Sequence, residues 1–284
     1  MTPLSTSPAS VPSVTERTVR EKPILFSGSM VCGIIEDRKG QTRRTRGLDR
    51  INAAPDDWQL EGLVTRTVPS DAAKRGTWCF AHRHGEQELA YIRCPYGRPG
   101  DRLWVRETWA AEFNWPDERG DEVRSWEEMP AAFRGLKSLD RVYFAADQTV
   151  YAPTADRAAL TDGPVGDADS FPEKLRFRPS IFMPRWASRI TLEITEVRVE
   201  RVQEITNDDA RSEGVPECDT PGHDDCFYGA SGQAYQCGFQ VLWDSINASR
   251  GYGWDANPYV WAITFKRLDT PSLDHPHERL GDER

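Results

Sequence analysis

Residues 189–202 read "RITLEITEVRVERV", and their alternation decides the fold. Ile190, Leu192 and Ile194 fall at one parity, then Val197 and Val199 at the other. A period of two is the signature of a half-buried strand, and a change of parity within it marks a bulge or bend, because one extra residue moves every later side chain to the opposite face. A long bent strand suits a small closed barrel. Towards the C-terminus, "TNDDARSEG" (206–214) has Thr206 or Asn207 as N-cap and Gly214 as stop, which predicts a short helix. Phe239, Leu242, Trp243 and Ile246 recur at helical spacing, and "PYVWAITFKRL" (258–268) alternates as a final strand. Towards the N-terminus, "PGDRLWVRETW" (99–109) places a turn before a strand carrying Leu103 and Val105. "KPILF" (22–26) predicts another strand, followed by a helix with Ser27 or Ser29 as N-cap, Met30, Ile34 and Ile35 inward, and Gly40 as stop.

Two stretches between these elements are elaborations. Residues 49–90 mix Asp, Gly and Pro with short β-branched pieces and are expected to be β-rich, while 110–175 are polar apart from one strand, "RVYFAAD" (141–147). The expected class is α+β: a small mixed, mainly antiparallel β-barrel with peripheral helices and large loop insertions, running over residues 21–268.

The chain has 284 residues, 38% of them hydrophobic, enough to bury a sizeable core. A net charge of −9 excludes a uniformly basic face of the kind that coats long nucleic acid, so any polyanion contact must be local. Residues 1–20, rich in Ser, Thr and Pro, and the acidic stretch 269–284 are expected to be flexible tails. No run approaches the ~20 apolar residues that span a bilayer, and the start lacks the apolar middle of a secretion signal, so a cytoplasmic protein is expected. Cys32, Cys79 and Cys94, far apart in sequence, read as ordinary buried thiols. Most of the 10 tryptophans are expected in the core.

Chemistry concentrates in "EDRKGQTRRTR" (36–46), with five cationic side chains and two threonines at what reads as a helix end. Three readings stand side by side: a hydrated helix end favoured by the dipole, a phosphate clamp, or a lysine whose pKa is lowered by its cationic neighbours and which activates Thr42. Elsewhere there is no Gly-rich phosphate loop, nucleophile elbow or His-Glu helix motif. Cys218, His223, Cys226 and Cys237 have ligand types suited to zinc, but their spacing fits no familiar knuckle, and a polar loop with scattered thiols is the competing reading. No resident cofactor is otherwise expected.

The segments "FSGSMVCGIIEDRKGQTRR", "PGDRLWVRETW", "ITLEITEVRVERVQEIT", "DARSEG" and "YVWAITFKRL" together resemble the ASCH domain, a relative of the PUA barrel that binds RNA or modified nucleosides. The likeness spans residues 22–268 in the family's order, with insertions at about 49–90, 110–175 and 214–236. "MPRWASRITLEIT" and "RGYGWDANPYVW" are similar to proteins encoded by phages and prophages. Small ASCH enzymes that hydrolyse the amide of N4-acetylcytidine carry Lys-x-x-Thr and a later Glu. The resemblance therefore implies Thr42 as nucleophile, Lys39 as its activator and Glu213 as partner in proton transfer. The ligand expected on this basis is a modified nucleoside or short single-stranded nucleic acid, and the residues themselves offer Arg38, Arg43 and Arg44 as phosphate contacts and Trp109 and Trp254 as candidate stacking rings. A non-catalytic RNA- or DNA-binding module is the alternative. Arg46, and in part Arg38, remain best read as hydrated.

Overall fold

A computed structural model of the chain describes residues 18–66, 68–84, 88–112, 115–116, 122–123, 141–147, 150–151, 177–216 and 234–268. In chain order the elements are β1 (Glu21–Leu25), α1 (Gly28–Ile35), β2 (Gln41–Arg44), α2 (Asp49–Asn52), β3 (Trp58–Leu63), β4 (Trp78–His82), β5 (Leu89–Ile92) and β6 (Arg102–Arg106). After them come β7 (Trp109–Glu112), β8 (Trp115–Pro116), β9 (Glu122–Val123), β10 (Arg141–Phe144), β11 (Val150–Tyr151), β12 (Thr191–Arg201), α3 (Asn207–Ser212), α4 (Ala234–Asn247) and β13 (Tyr259–Leu268).

The main sheet has five strands in the order β1-β6-β12-β13-β2, parallel between β1 and β6 and antiparallel elsewhere. Its spine is the β12–β13 pair, and the register shifts between Ile194 and Glu196, where the sequence changes parity. The shift lets Leu192 and Ile194 on one side of it and Val199 on the other reach one core with Trp261 and Ile263.

The expected barrel is not formed. Among the described residues β1 pairs only with β6 and β2 only with β13, so the sheet keeps two free edges and no sheet closes on itself. Closure needs a ladder between first and last strands, and Pro23 in the middle of β1 has no N–H to give it. Across the seam Arg44 Nη2 donates to the Leu25 carbonyl at 2.8 Å.

The segment 49–90 folds as α2 and a separate antiparallel sheet, β3-β4-β5, whose Phe80 and Trp58 join the main core. Within 110–175, β10 pairs with β7 and β11, and Val142 and Phe144 bury against Trp109, Met183 and Ala187. Order at the N-terminus begins before β1, where the Arg20 carbonyl accepts from Arg102 N at 2.8 Å. Residues 1–17, 152–176, 217–233 and 269–284, including the segments expected to be flexible, lie outside the described residues. No helix among the described residues is long and apolar enough to cross a membrane.

The run 36–46 departs from the expected helix end. α1 stops at Ile35, five residues before Gly40, and Asp37 takes the left-handed turn at φ 55°. The amides of Arg38 and Lys39 both donate to the Gly33 carbonyl, satisfying the helix end, and the chain then enters β2 as an edge strand. Thr42 therefore sits on a strand opposite Ile263 rather than on a helix with Lys39.

Candidate functional site

The strand alternation of β2 divides its side chains. Gln41 and Arg43 share the face of Thr264 and Ala262, while Thr42 and Arg44 alternate with them. On the first face lies α3, started by the Thr206 side chain, which accepts from Asp209 N at 3.1 Å. Gly40 N donates to the Ser212 carbonyl at 2.9 Å and pins α3 to the β2 entry. Gly214 ends the turn at φ 78°, and a Cβ there would stand 2.9 Å from Lys39 Cβ. Only glycine fits both the backbone and the approach of lysine.

These contacts bring Glu213 to Lys39. Lys39 Nζ donates to the Glu213 carbonyl at 2.7 Å and to Oε2 at 2.8 Å, with both side chains buried. Arg43 Nη1 donates to the other carboxylate oxygen, Oε1, at 3.2 Å and to Gln41 Oε1 at 2.7 Å. Its Nε and Nη2 reach Glu200 Oε1 at 2.9 and 2.5 Å, and Nη2 also reaches Asp209 Oδ2 at 3.1 Å. Asp209 accepts further from Gln41 Nε2 at 3.1 Å and from Arg198 Nη2 at 3.0 Å. All three guanidinium nitrogens of Arg43 are committed, so Arg43 braces the site from within.

Burial is the largest influence on Lys39 and lowers its pKa. Arg44 and Arg43 push the same way, and the Glu213 carboxylate opposes them. The cationic neighbours seen in the sequence thus contribute, but desolvation leads.

A cavity of about 350 Å³ opens at the seam between β1 and β2. Pro23, Ile24 and Leu25 form one lip and Thr42 to Arg44 the other, while Phe239, Leu242, Trp243 and Ile246 of α4 supply an apolar wall. Thr42 and Glu213 both line it, with Lys39 behind Glu213. The Thr42 hydroxyl forms no hydrogen bond with another described residue. The remaining wall is cationic: Arg44, Arg46, Arg106 and Arg250 line the cavity, and none has a carboxylate partner among the described residues. The two acidic side chains of the lining are already engaged. Glu213 holds Lys39 and Arg43, and Asp49 accepts from Tyr252 Oη and Gly47 N.

The other sequence candidates lie elsewhere. Arg38 is half exposed and paired with Glu36. Trp109 is buried edge-on against Trp186 in the small cluster beyond β6, and Trp254 packs on Phe239 behind α4; neither lines the cavity. Cys237 is disulfide-bonded, which takes its thiolate out of any zinc set, and Cys218, His223 and Cys226 lie outside the described residues. No group of three His, Cys, Asp or Glu suited to a metal occurs among the described residues. Cys32, Cys79 and Cys94 are free thiols, and burial pushes that of Cys94 up to about 11. Sequence reasoning missed Tyr96, Arg106 and Arg250, which come from three separate segments and carry no local pattern; Arg46 was visible only as one more charge in a run.

No protein-family model, curated protein or solved structure matches this chain. The chemistry of the cavity therefore rests on its own geometry.

Proposed function

We propose that the chain binds a nucleoside-type ligand, free or within short single-stranded nucleic acid, in the cavity between β1 and β2. The observation that carries this is the pairing of an apolar wall from α4 with guanidiniums that have no carboxylate ion pair among the described residues, around a space of about 350 Å³. A planar ring finds the first and an anionic group the second. The resemblance of the sequence motifs to ASCH proteins, including those of phages, supports a base as the ring, and Thr42 and Glu213 offer a hydroxyl and a carboxylate to its polar edge. A cytoplasmic setting belongs to the same reading.

Hydrolysis of an N-acyl amide on a cytosine-type base is a second reading. It is favoured by one observation: Thr42 and Glu213 share the cavity, and Glu213 holds the lysine. In it the Thr42 oxygen attacks the acyl carbon as its proton passes to a neutral amine, that proton goes to the amino nitrogen of the base as the C–N bond breaks, and water then cleaves the Thr42 ester to release the carboxylic acid. Lys39, tied twice to Glu213, must loosen for this to occur, which makes binding the better supported function.

The test is calorimetric titration with cytidine, N4-acetylcytidine, their 5′-phosphates and short oligonucleotides, beside a turnover assay on the acetylated forms. Binding of at least one of them is expected. If none binds, the proposal is lost. Turnover that Thr42→Ala reduces by orders of magnitude establishes hydrolysis, whereas turnover unchanged in that variant removes Thr42 as nucleophile.

A further inference from the structure

We propose that the arginines of the seam form a cradle for a phosphomonoester, so that the ligand is a terminally phosphorylated nucleotide and not the free nucleoside. This rests on the nucleoside reading for its other half and names the ligand class of the same site.

Four observations support it. Arg44, Arg46, Arg106 and Arg250 come from β2, the turn after it, the end of β6 and the segment after α4, yet line one cavity. None has a carboxylate partner among the described residues, and the two acids beside them are occupied by other donors. Among the described residues Arg44 makes one hydrogen bond, to the Leu25 carbonyl, and the buried Nε of Arg106 makes none; their guanidiniums otherwise rest on the rings of Phe26 and Trp104. Tyr96, half-buried among these cations, adds a phenol to the lining.

Concentrating unpaired cations at a partly enclosed seam is unfavourable without an anion. Arg44 is consistent with this: burial is the largest influence and lowers its pKa, Tyr96 and then Glu213 oppose it, and Arg250 adds the least, a further lowering. A phosphomonoester carries a charge of about −1.5 to −2 at pH 7 with three acceptor oxygens, whereas an internal phosphodiester carries one charge and two free oxygens. The first matches a convergence of several guanidiniums better. Surface ion-pair residues elsewhere in the chain, such as Arg38 with Glu36 or Arg185 with Glu21, already have their partners and form no comparable cluster.

The experiment titrates the full chain with inorganic phosphate, pyrophosphate, cytidine and cytidine 5′-monophosphate. It is repeated with Arg44→Gln and Arg250→Gln, and with Arg75→Gln, an exposed residue between β3 and β4, as a charge-matched control. The nucleotide is expected to bind far more tightly than cytidine, and pyrophosphate to compete with it. Arg44→Gln should weaken nucleotide binding about 10- to 100-fold, the range for a charge-assisted hydrogen bond, and Arg250→Gln, more exposed, about threefold. Affinity should rise as pH passes through about 6, where the second phosphate proton leaves.

Equal binding of cytidine and its monophosphate, insensitive to both substitutions, overturns the cradle and leaves the nucleoside reading intact. Arg44-dependent binding of pyrophosphate with a nucleotide no tighter than inorganic phosphate upholds the cradle and removes the nucleoside. Absence of all binding overturns both. If Arg44→Gln fails to fold, the exposed Arg250→Gln and the ligand ranking on the unsubstituted chain decide the matter. Comparing 5′-phosphorylated with 5′-hydroxyl oligonucleotides then assigns the source: a phosphorylated strand binding above the mononucleotide identifies a nucleic-acid end, and the reverse a free nucleotide.

Discussion

Removing the Glu213 carboxylate is expected to expose the energetics of the buried pair. The Lys39 and Glu213 side chains are 1% and 4% exposed, so water screens little of their interaction. Breaking one partner of such a pair costs about 3–5 kcal/mol, chiefly because the survivor is left charged in a poor solvent. In Glu213→Ala two cations lose an acceptor, but unequally. Arg43 keeps Glu200, Asp209 and Gln41, whereas Lys39 keeps the residue-213 carbonyl and the face of the Phe26 ring but no carboxylate among the described residues. The loss therefore falls on Lys39, and we expect about 3–4 kcal/mol. Urea unfolding followed by tryptophan fluorescence should show the midpoint falling by about 1 M or more for an m-value near 3 kcal/mol per molar.

The deficit should also depend on pH, because Lys39 can shed its proton. Its folded pKa, already lowered by burial, drops further when Glu213 no longer opposes that influence. A cation with a folded pKa below its unfolded value of about 10.4 destabilises fully while both states are protonated, and the penalty fades as pH rises from the folded pKa to the unfolded one. Glu213→Ala should thus recover stability relative to the unsubstituted chain as the buffer is made alkaline. Lys39→Met combined with Glu213→Ala should cost less than the two single changes added together. A deficit below about 1 kcal/mol that is flat with pH would refute a sealed pair.

Gly214→Ala forces φ 78° on a residue with a Cβ and drives it to 2.9 Å from Lys39 Cβ, so a loss of about 2 kcal/mol or more in the same unfolding assay is expected; an unchanged midpoint counts against the close approach. For Asp209, burial alone would raise the carboxyl, but Arg43, Gln41 and Arg198 outweigh it and hold the pKa below the ordinary value. That stabilisation is present above the unfolded value of about 3.9 and lost as pH falls through the folded one, so Asp209→Asn should flatten the acid limb of the stability profile. Cys237 should resist iodoacetamide in the unfolded chain until a reductant is added, while Cys32, Cys79 and Cys94 react without one; peptide mass spectrometry reads both outcomes.

Much of the fold could be read from local pattern because its elements follow simple periods. β12 and its bulge, α3 with its Thr206 cap and Gly214 stop, the apolar stripe of α4 and strand β13 all appear where alternation or helical spacing places them. The run 36–46 was opaque for a physical reason. Gln41–Arg44 is a strand of polar residues whose burial is sustained by Glu200, Asp209 and Glu213, more than 150 positions away, so no local hydrophobic period marks it. The Lys39–Glu213 pairing was legible as a motif, yet Arg43 was read as a ligand contact and is a brace. Arg106, at the end of β6, and Arg250, after α4, come to the cavity of Arg44 only in the folded chain.

The open seam links the failed barrel to the site. A ladder between β1 and β2 would fill the seam with backbone hydrogen bonds and leave the side chains of Arg44 and Arg106 only the outer surface. Pro23 interrupts the edge where that ladder would form, and β2 offers only four residues to pair. Edge strands left open present unpaired backbone groups that invite other chains, and proteins commonly block them with proline or charge. Here both devices are present, and the half-buried Arg44 and Arg106 and the exposed Arg46 and Arg250 border a cavity whose opposite wall is apolar. Cations used only to protect an edge need no such wall, and a purely apolar pocket needs no such cations. The combination at one seam suits the proposed ligand, with a flat ring for the apolar wall and a terminal anion for the guanidiniums.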